Sequence, residues 1–398
     1  MPQNTTTKKQ PLKDLSFLTQ GLTGQPMFAL LARVKELQRQ GREIIRFEIG
    51  DSAFSPYQEV LDSTKHALDQ GCTGYVDSQG VIEFREVIRE YIYKTLGFLP
   101  ELDQILVMPA NAIIDFTIRC VVNPGDEVII PDPGFPTYRA VLNYTGLKGV
   151  SIRQYEDESF YIDMNELKGK VGNQTKLIIH NSPNNPTGMV MPEGDVETLF
   201  SIVEKNGLYL LSDEVYSTLS YSRPHFSPGI FDECKKHTVI LNSFSKNFGM
   251  AGWRLGYAIG PKNLIKKMAL LFETTYSCVP HFIQEAGEKV LSNHLGLFDS
   301  YRNKLVELRD LMVAKLNEIP GVSCRAPDGA YYVFANIKET GMSSEEFSSL
   351  MLEKAGVATL PGTCFGKFGK DYVRLVFARP EKTILEGCNK MKTIMERF

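Results

Sequence analysis

The chain has 398 residues, 43% hydrophobic and 23% charged, which is room for two domains or one large α/β domain with a lobe attached. A formal net charge of −3 gives no electrostatic footprint for nucleic acid or an anionic membrane. The seven cysteines are scattered, with no Cys-x-x-Cys pair; this argues against a disulfide framework or a structural zinc site and fits a reducing cytoplasm.

Residues 1–14 are rich in Gln, Asn, Thr and Lys, lack a signal-peptide core and read as a flexible arm. Phe28 to Gln38 has helical periodicity through Leu30, Leu31, Val34 and Leu37, and Ile44 to Ile49 reads as a short strand leading into Gly50. Apolar strand candidates then recur at Ile105–Met108, Glu127–Ile130, Leu177–Ile179, Leu208–Leu211, Thr238–Leu241 and Leu255–Ile259. Helical stretches lie between several of them, such as Val196–Lys205, which stops at Asn206-Gly207. Buried strands flanked by helices predict an α/β fold with a mainly parallel sheet covered on both faces. Ligands in such sheets bind beyond the carboxyl ends of the strands.

Past residue 280 the texture changes. A helical region spans about 281–318, with Leu305, Leu308, Leu311 and Met312 at helical spacings, ending before Pro320-Gly321. Strands are expected at Tyr331–Phe334 and Tyr372–Phe377, and helices near Ser344–Ala355 and over Glu381–Arg397. The expected division is a large domain over 51–284 and a smaller α+β domain from 15–50 and 285–398. No apolar run reaches transmembrane length.

The stretch richest in chemistry is an apolar strand running into Ser243, Ser245 and Lys246, then a Gly-containing loop, then Arg254. Two hydroxyls and a guanidinium around one lysine suit a dianionic phosphate beside an amine. Such an amine forms a Schiff base with an aldehyde once it is unprotonated. A solvated surface lysine is the plainer reading of any single lysine, and the neighbours argue against it here.

Ser243-Phe-Ser-Lys246 followed by Gly252-Trp-Arg-Leu-Gly-Tyr257 resembles the cofactor-lysine motif of class I/II aminotransferases, enzymes of pyridoxal 5′-phosphate (PLP) fold type I. The resemblance runs from about Gly50 to Arg379. It implies PLP on Lys246, and amino-acid and 2-oxo-acid substrates exchanged by a ping-pong mechanism. It also implies a homodimer with shared active sites.

The remaining roles follow from the same resemblance. In Ser212-Asp-Glu-Val-Tyr216, Asp213 pairs with the protonated pyridine nitrogen and keeps the ring electron-poor, and Tyr216 donates to the cofactor's phenolic oxygen; Asp213 also suits a helix N-cap. In Asn184-Asn-Pro-Thr-Gly188, a turn by composition, Asn185 touches the same oxygen. Phe135, in Pro133-Gly-Phe-Pro-Thr-Tyr138, stacks on the ring, with a core phenylalanine as the alternative. Ala110-Asn111-Ala112, ahead of a helix expected over Ile113–Val121, form the phosphate loop, although many relatives carry Gly with Ser, Thr or Ala there. Tyr75 in Gly74-Tyr-Val-Asp-Ser-Gln-Gly80 reaches the neighbouring subunit's phosphate, or is an ordinary buried or surface tyrosine. Arg374 binds the substrate α-carboxylate, helped by the backbone at Gly50; a structural salt bridge is the alternative.

Some bacterial aspartate-specific relatives carry a lysine where Ala112 stands, so strict dicarboxylate specificity is not expected. None of the six histidines forms a metal-binding pattern, and no metal site is expected. Two rival functions remain at this point. One is a PLP lyase or cyclase on the same fold; the other, remote, is a non-catalytic regulator built on an aminotransferase-like domain.

Overall fold

The computed structural model describes residues 14–20, 22, 24, 26–50, 57–157, 159–293 and 297–398; almost all of the expected N-terminal arm lies outside them. The central sheet has eight strands in the order Ile105–Val107, Gly256–Ile259, Thr238–Ser243, Tyr209–Asp213, Thr175–Asn181, Glu127–Asp132, Lys148–Tyr155 and Tyr161–Ile162. The five strands from Thr238–Ser243 to Lys148–Tyr155 are parallel. Gly256–Ile259 runs antiparallel to both of its neighbours.

Alternation along the strands decides which face each side chain covers. Leu177, Ile179 and Leu211 enter one large apolar core, with Ile113, Phe116 and Met268 from covering helices. Ile178 and Leu210 point the other way, into a second core with Val196, Leu199 and Val203 of helix Glu193–Asn206. That helix ends at Gly207 in the left-handed conformation, φ 62°, as Asn206-Gly207 predicts.

The C-terminal part builds its own core around a three-stranded antiparallel sheet, with Tyr372–Val376 between Tyr332–Asn336 and Leu360–Pro361. Leu305, Leu308 and Met312 pack there with Ile384, Cys388 and Met391. Phe47 joins this core, and Ile45–Arg46 pairs in parallel with Val357–Ala358. The residues before Gly50 are thereby tied to the C-terminal part.

Several boundaries differ from the sequence reading. The strand expected over Ile44–Ile49 is only Ile45–Arg46. The long helical region comprises two helices, His281–Asn293 and Leu297–Leu316. The helix near Ser344 ends its α-helical part at Leu350 and continues as a π turn over Met351–Ala355. No described helix is long and apolar enough to cross a membrane.

Candidate active site

Three adjacent parallel strands end at Asn181, Asp213 and Ser243. Beyond those ends, where an open α/β sheet places its ligands, lies a cavity of about 270 Å³ lined by all three. Lys246, Asn185, Arg254 and Arg374 reach it from other elements. Every residue singled out from the sequence lines this cavity except Ala112 and Tyr75. A wider groove of about 720 Å³, beside Lys168 and Lys205, holds none of them.

Lys246 sits in the one-turn helix Phe244–Asn247, whose N-cap Ser243 accepts the Ser245 N–H through its hydroxyl at 3.2 Å. The lysine Nζ donates to the Gly50 carbonyl at 2.6 Å, and the Tyr331 hydroxyl donates to the same oxygen at 3.1 Å. Gly50 has no room for a side chain: a Cβ would lie 2.3 Å from the Tyr332 hydroxyl.

Asp213 is 3% exposed. The hydroxyl of Tyr138 donates to its Oδ2 at 2.5 Å, and the Val215 N–H reaches Oδ1 at 3.4 Å. Burial pushes its carboxyl up to about 6, against those two hydrogen bonds, with the charge of Glu214 adding to the rise. Among the described residues no cation lies within ion-pair distance of it. A buried carboxylate in that state calls for a positive group from a ligand.

Arg374 is almost fully buried. Its Nη1 donates to Asn185 Oδ1 at 3.0 Å and its Nη2 to the Glu48 carbonyl at 2.6 Å, while its Nε has no partner. The guanidinium lies 4.4 Å from the Tyr332 ring centroid. Asn185 is itself held by its backbone N–H, donating to Asn181 Oδ1 at 2.9 Å. The Tyr216 and Tyr332 hydroxyls are 2.7 Å apart, and burial raises the Tyr216 phenol well above its ordinary value.

At another part of the wall, the first turn of helix Ala110–Val121 has no side-chain cap. Its free N–H groups, the hydroxyls of Ser243 and Ser245 and the guanidinium of Arg254 form a donor set for an anion. The helix begins at Ala110, not Ile113, so the expected phosphate loop is its first turn. Ala110 and Asn111 line the cavity, whereas Ala112 does not; both alanines pack on the large core. Tyr75 lies outside the cavity and is 89% exposed.

The sequence reading missed Tyr138, Asn181 and the pair Tyr331-Tyr332. Tyr138, Tyr331 and Tyr332 are common core residues whose partners lie far away in the chain, and Asn181 bonds both the nearby Asn185 and the distant Asp213. His180, read as a packing or surface residue, is buried with both ring nitrogens unpartnered. Away from the cavity, Cys72, His281 and Glu285 place one potential ligand atom each within 4.8 Å of one another. Sequence spacing could not disclose that grouping.

Comparison with known proteins agrees with the geometry. Residues 42–391 match the family described as aminotransferase class I and II. The aspartate aminotransferase of Pyrococcus horikoshii is 35% identical over 371 residues, 92% of this chain and 95% of that protein. The aromatic-amino-acid aminotransferase 2 of Thermococcus litoralis is 33% identical, over 90% of this chain and 93% of that one. The structure of Thermus thermophilus aspartate aminotransferase with maleate superposes with a TM-score of 0.92 at 30% identity, covering 96% and 100% of the two chains. A buried acid with no cation paired to it among the described residues, a reachable lysine amine and an uncapped helix start beside an arginine fit what PLP requires of its site, and the chain belongs to the class I and II aminotransferases, PLP-dependent enzymes of fold type I.

Proposed function

We propose that this transaminase works on L-amino acids and 2-oxo acids with uncharged side chains, at a site that two subunits complete together. The observation that carries the reading is the convergence of Lys246, Asp213, Asn185, Tyr216, Arg254 and Arg374 on one cavity. When bound, PLP supplies the covalent link to the amino group and draws electrons from the substrate carbon.

The chain's own residues do the rest. Lys246 would hold the cofactor and, once displaced by substrate, its Nζ would take up and return the proton of the substrate α-carbon. Asp213 would serve the ring nitrogen as a buried anion. Asn185 and Tyr216 would offer hydrogen-bond donors to the phenolic oxygen, and Phe135 would pack on the ring. Ser243, Ser245, Arg254 and the helix start at Ala110 and Asn111 would hold the phosphate. Arg374 takes the α-carboxylate, beside the backbone of Gly50.

The substrate class follows from counting charge. Lys246, Arg254 and Arg374 are the cations among the described lining residues. Each has one of the tasks above, so this chain's own lining leaves none for a second carboxylate. Met27, Phe28 and Ile49 add apolar wall. The relatives' names cover both aspartate and aromatic amino acids, so family membership alone does not decide. Steady-state kinetics with aspartate, phenylalanine, leucine and methionine, each paired with 2-oxoglutarate and pyruvate, tests the reading. At least one neutral amino acid is expected to exceed aspartate in kcat/KM; aspartate well ahead of all three contradicts it.

A second subunit is supported by the surface. Tyr75, Ile82 and Tyr276 are 89%, 56% and 65% exposed. Ser78 donates to Glu273 at 3.4 Å, linking the segments that carry them. Large apolar groups exposed on segments tied together in this way support a contact face. The two-domain division, 51–284 against 15–50 with 285–398, is supported by the separate cores, although helix His281–Asn293 packs on Gln58–Asp69 and Ile82–Leu96. A cytoplasmic location is supported by the seven unpaired cysteines.

A further inference from the structure

We propose that Tyr138 is a positioning residue for the buried acid Asp213, holding its carboxylate charged and turned toward the cavity. The inference rests on the reading that Asp213 faces the cofactor's ring nitrogen.

Tyr138 is fully buried in the first turn of helix Pro136–Thr145. Its hydroxyl donates to Asp213 Oδ2 at 2.5 Å, a short bond of the charge-assisted kind. The Asp213 backbone is held by other groups: its carbonyl accepts from Asn181 Nδ2 at 3.0 Å and from the Ser182 N–H at 3.3 Å. Among the described residues the carboxylate accepts one other hydrogen bond, the long one from the Val215 N–H to Oδ1. Tyr138 therefore decides which way the carboxylate turns, and with Oδ2 occupied Oδ1 is the oxygen left for a cavity ligand.

The titratable groups electrostatically coupled to the acid are Tyr138 on its helix, Glu214 next in the chain and Tyr216 three residues on. None is a cation. The hydroxyl of Tyr138 favours the ionised acid, whereas burial and Glu214 oppose it. The Tyr138 ring meets Phe135 edge-on at 5.7 Å, and Phe135 lines the cavity. One helix start thus supplies both a wall of the cavity and the hydroxyl behind the acid.

A tyrosine that merely fills the core also needs a partner for its hydroxyl, so the test must separate the two roles. Tyr138→Phe keeps the ring and removes only the hydroxyl. It is compared as holoenzyme with wild type, Asp213→Asn and the double variant. The readouts are the PLP release rate, the pH midpoint of the bound cofactor's absorbance, and kcat and KM. Loss of a hydrogen bond to a charged group predicts PLP release and kcat worsened by about 10- to 100-fold, with KM little changed and the midpoint displaced. In the Asp213→Asn background the same change should alter each readout by no more than about two-fold, since the bond to a charged acceptor is already gone. Wild-type release and absorbance in Tyr138→Phe overturn the inference, and so does an equal loss in both backgrounds. Failure of all four proteins, wild type included, to take up PLP overturns the reading of the cavity and this inference with it.

Discussion

Arg374 Nη1 donates to Asn185 Oδ1 at 3.0 Å, coupling a strand of the C-terminal sheet to the turn that follows the central strand Thr175–Asn181. Gly188 closes that turn with φ 69°, its N–H donating to the Asn184 carbonyl at 2.9 Å. Among the described residues no carboxylate lies within ion-pair distance of Arg374. A buried guanidinium so placed is an anion site waiting for its charge.

Arg374→Lys keeps the charge and loses the planar fork. KM for both amino and oxo acid should rise by about 10- to 100-fold, while the spectrum of bound PLP stays that of wild type. Steady-state kinetics checks it.

Asp213 makes the cofactor-free protein sensitive to pH. Its folded value, about 6, lies above the ordinary 3.8, so the folded chain keeps a proton that the unfolded chain releases. The stability this group contributes is full below about pH 4 and is lost as pH rises through about 6, a change on the order of 3 kcal/mol. Apo Asp213→Asn should therefore exceed apo wild type in stability at pH 8, and the gap should shrink at pH 5. Urea denaturation of the two apo proteins at both pH values measures it.

His180 acts in the opposite direction. Burial, with His225 adding to it, lowers its ring to about 4 from 6.5. The unfolded chain takes up this proton first, so the contribution is full above about pH 6.5 and is lost as pH falls toward 4. His180→Leu should flatten the acid limb of the stability curve between those values, read from denaturation midpoints.

Tyr75 gives a test of shared sites. Tyr75→Ala and Lys246→Ala should each be weakly active or inactive alone. Mixed and allowed to exchange subunits, half of the dimers become hybrids with one intact site each, restoring about a quarter of wild-type activity. No recovery, with hybrids demonstrated by native mass spectrometry, places Tyr75 outside the partner's site.

Much of this was legible because the sheet is buried on both faces, and its strands stand out as apolar runs bounded by turns. Lys148–Tyr155 escaped notice because it lies towards the sheet edge, where only Ile152 and Gln154 are buried. The start of helix Ala110–Val121 was misplaced because Pro109 and Ala110-Asn111-Ala112 carry no side-chain cap to mark it. Lys246, Arg254 and Asp213 were readable from local motifs. Tyr138 was not, since its meaning depends on a carboxylate 75 residues away.

The lysine is the centre of the account. The purified enzyme, loaded with PLP, reduced with borohydride and digested, should yield one pyridoxyl-bearing peptide, with the modification on Lys246, and Lys246→Ala should yield none. A modification on another lysine, or full turnover retained by Lys246→Ala, would contradict it.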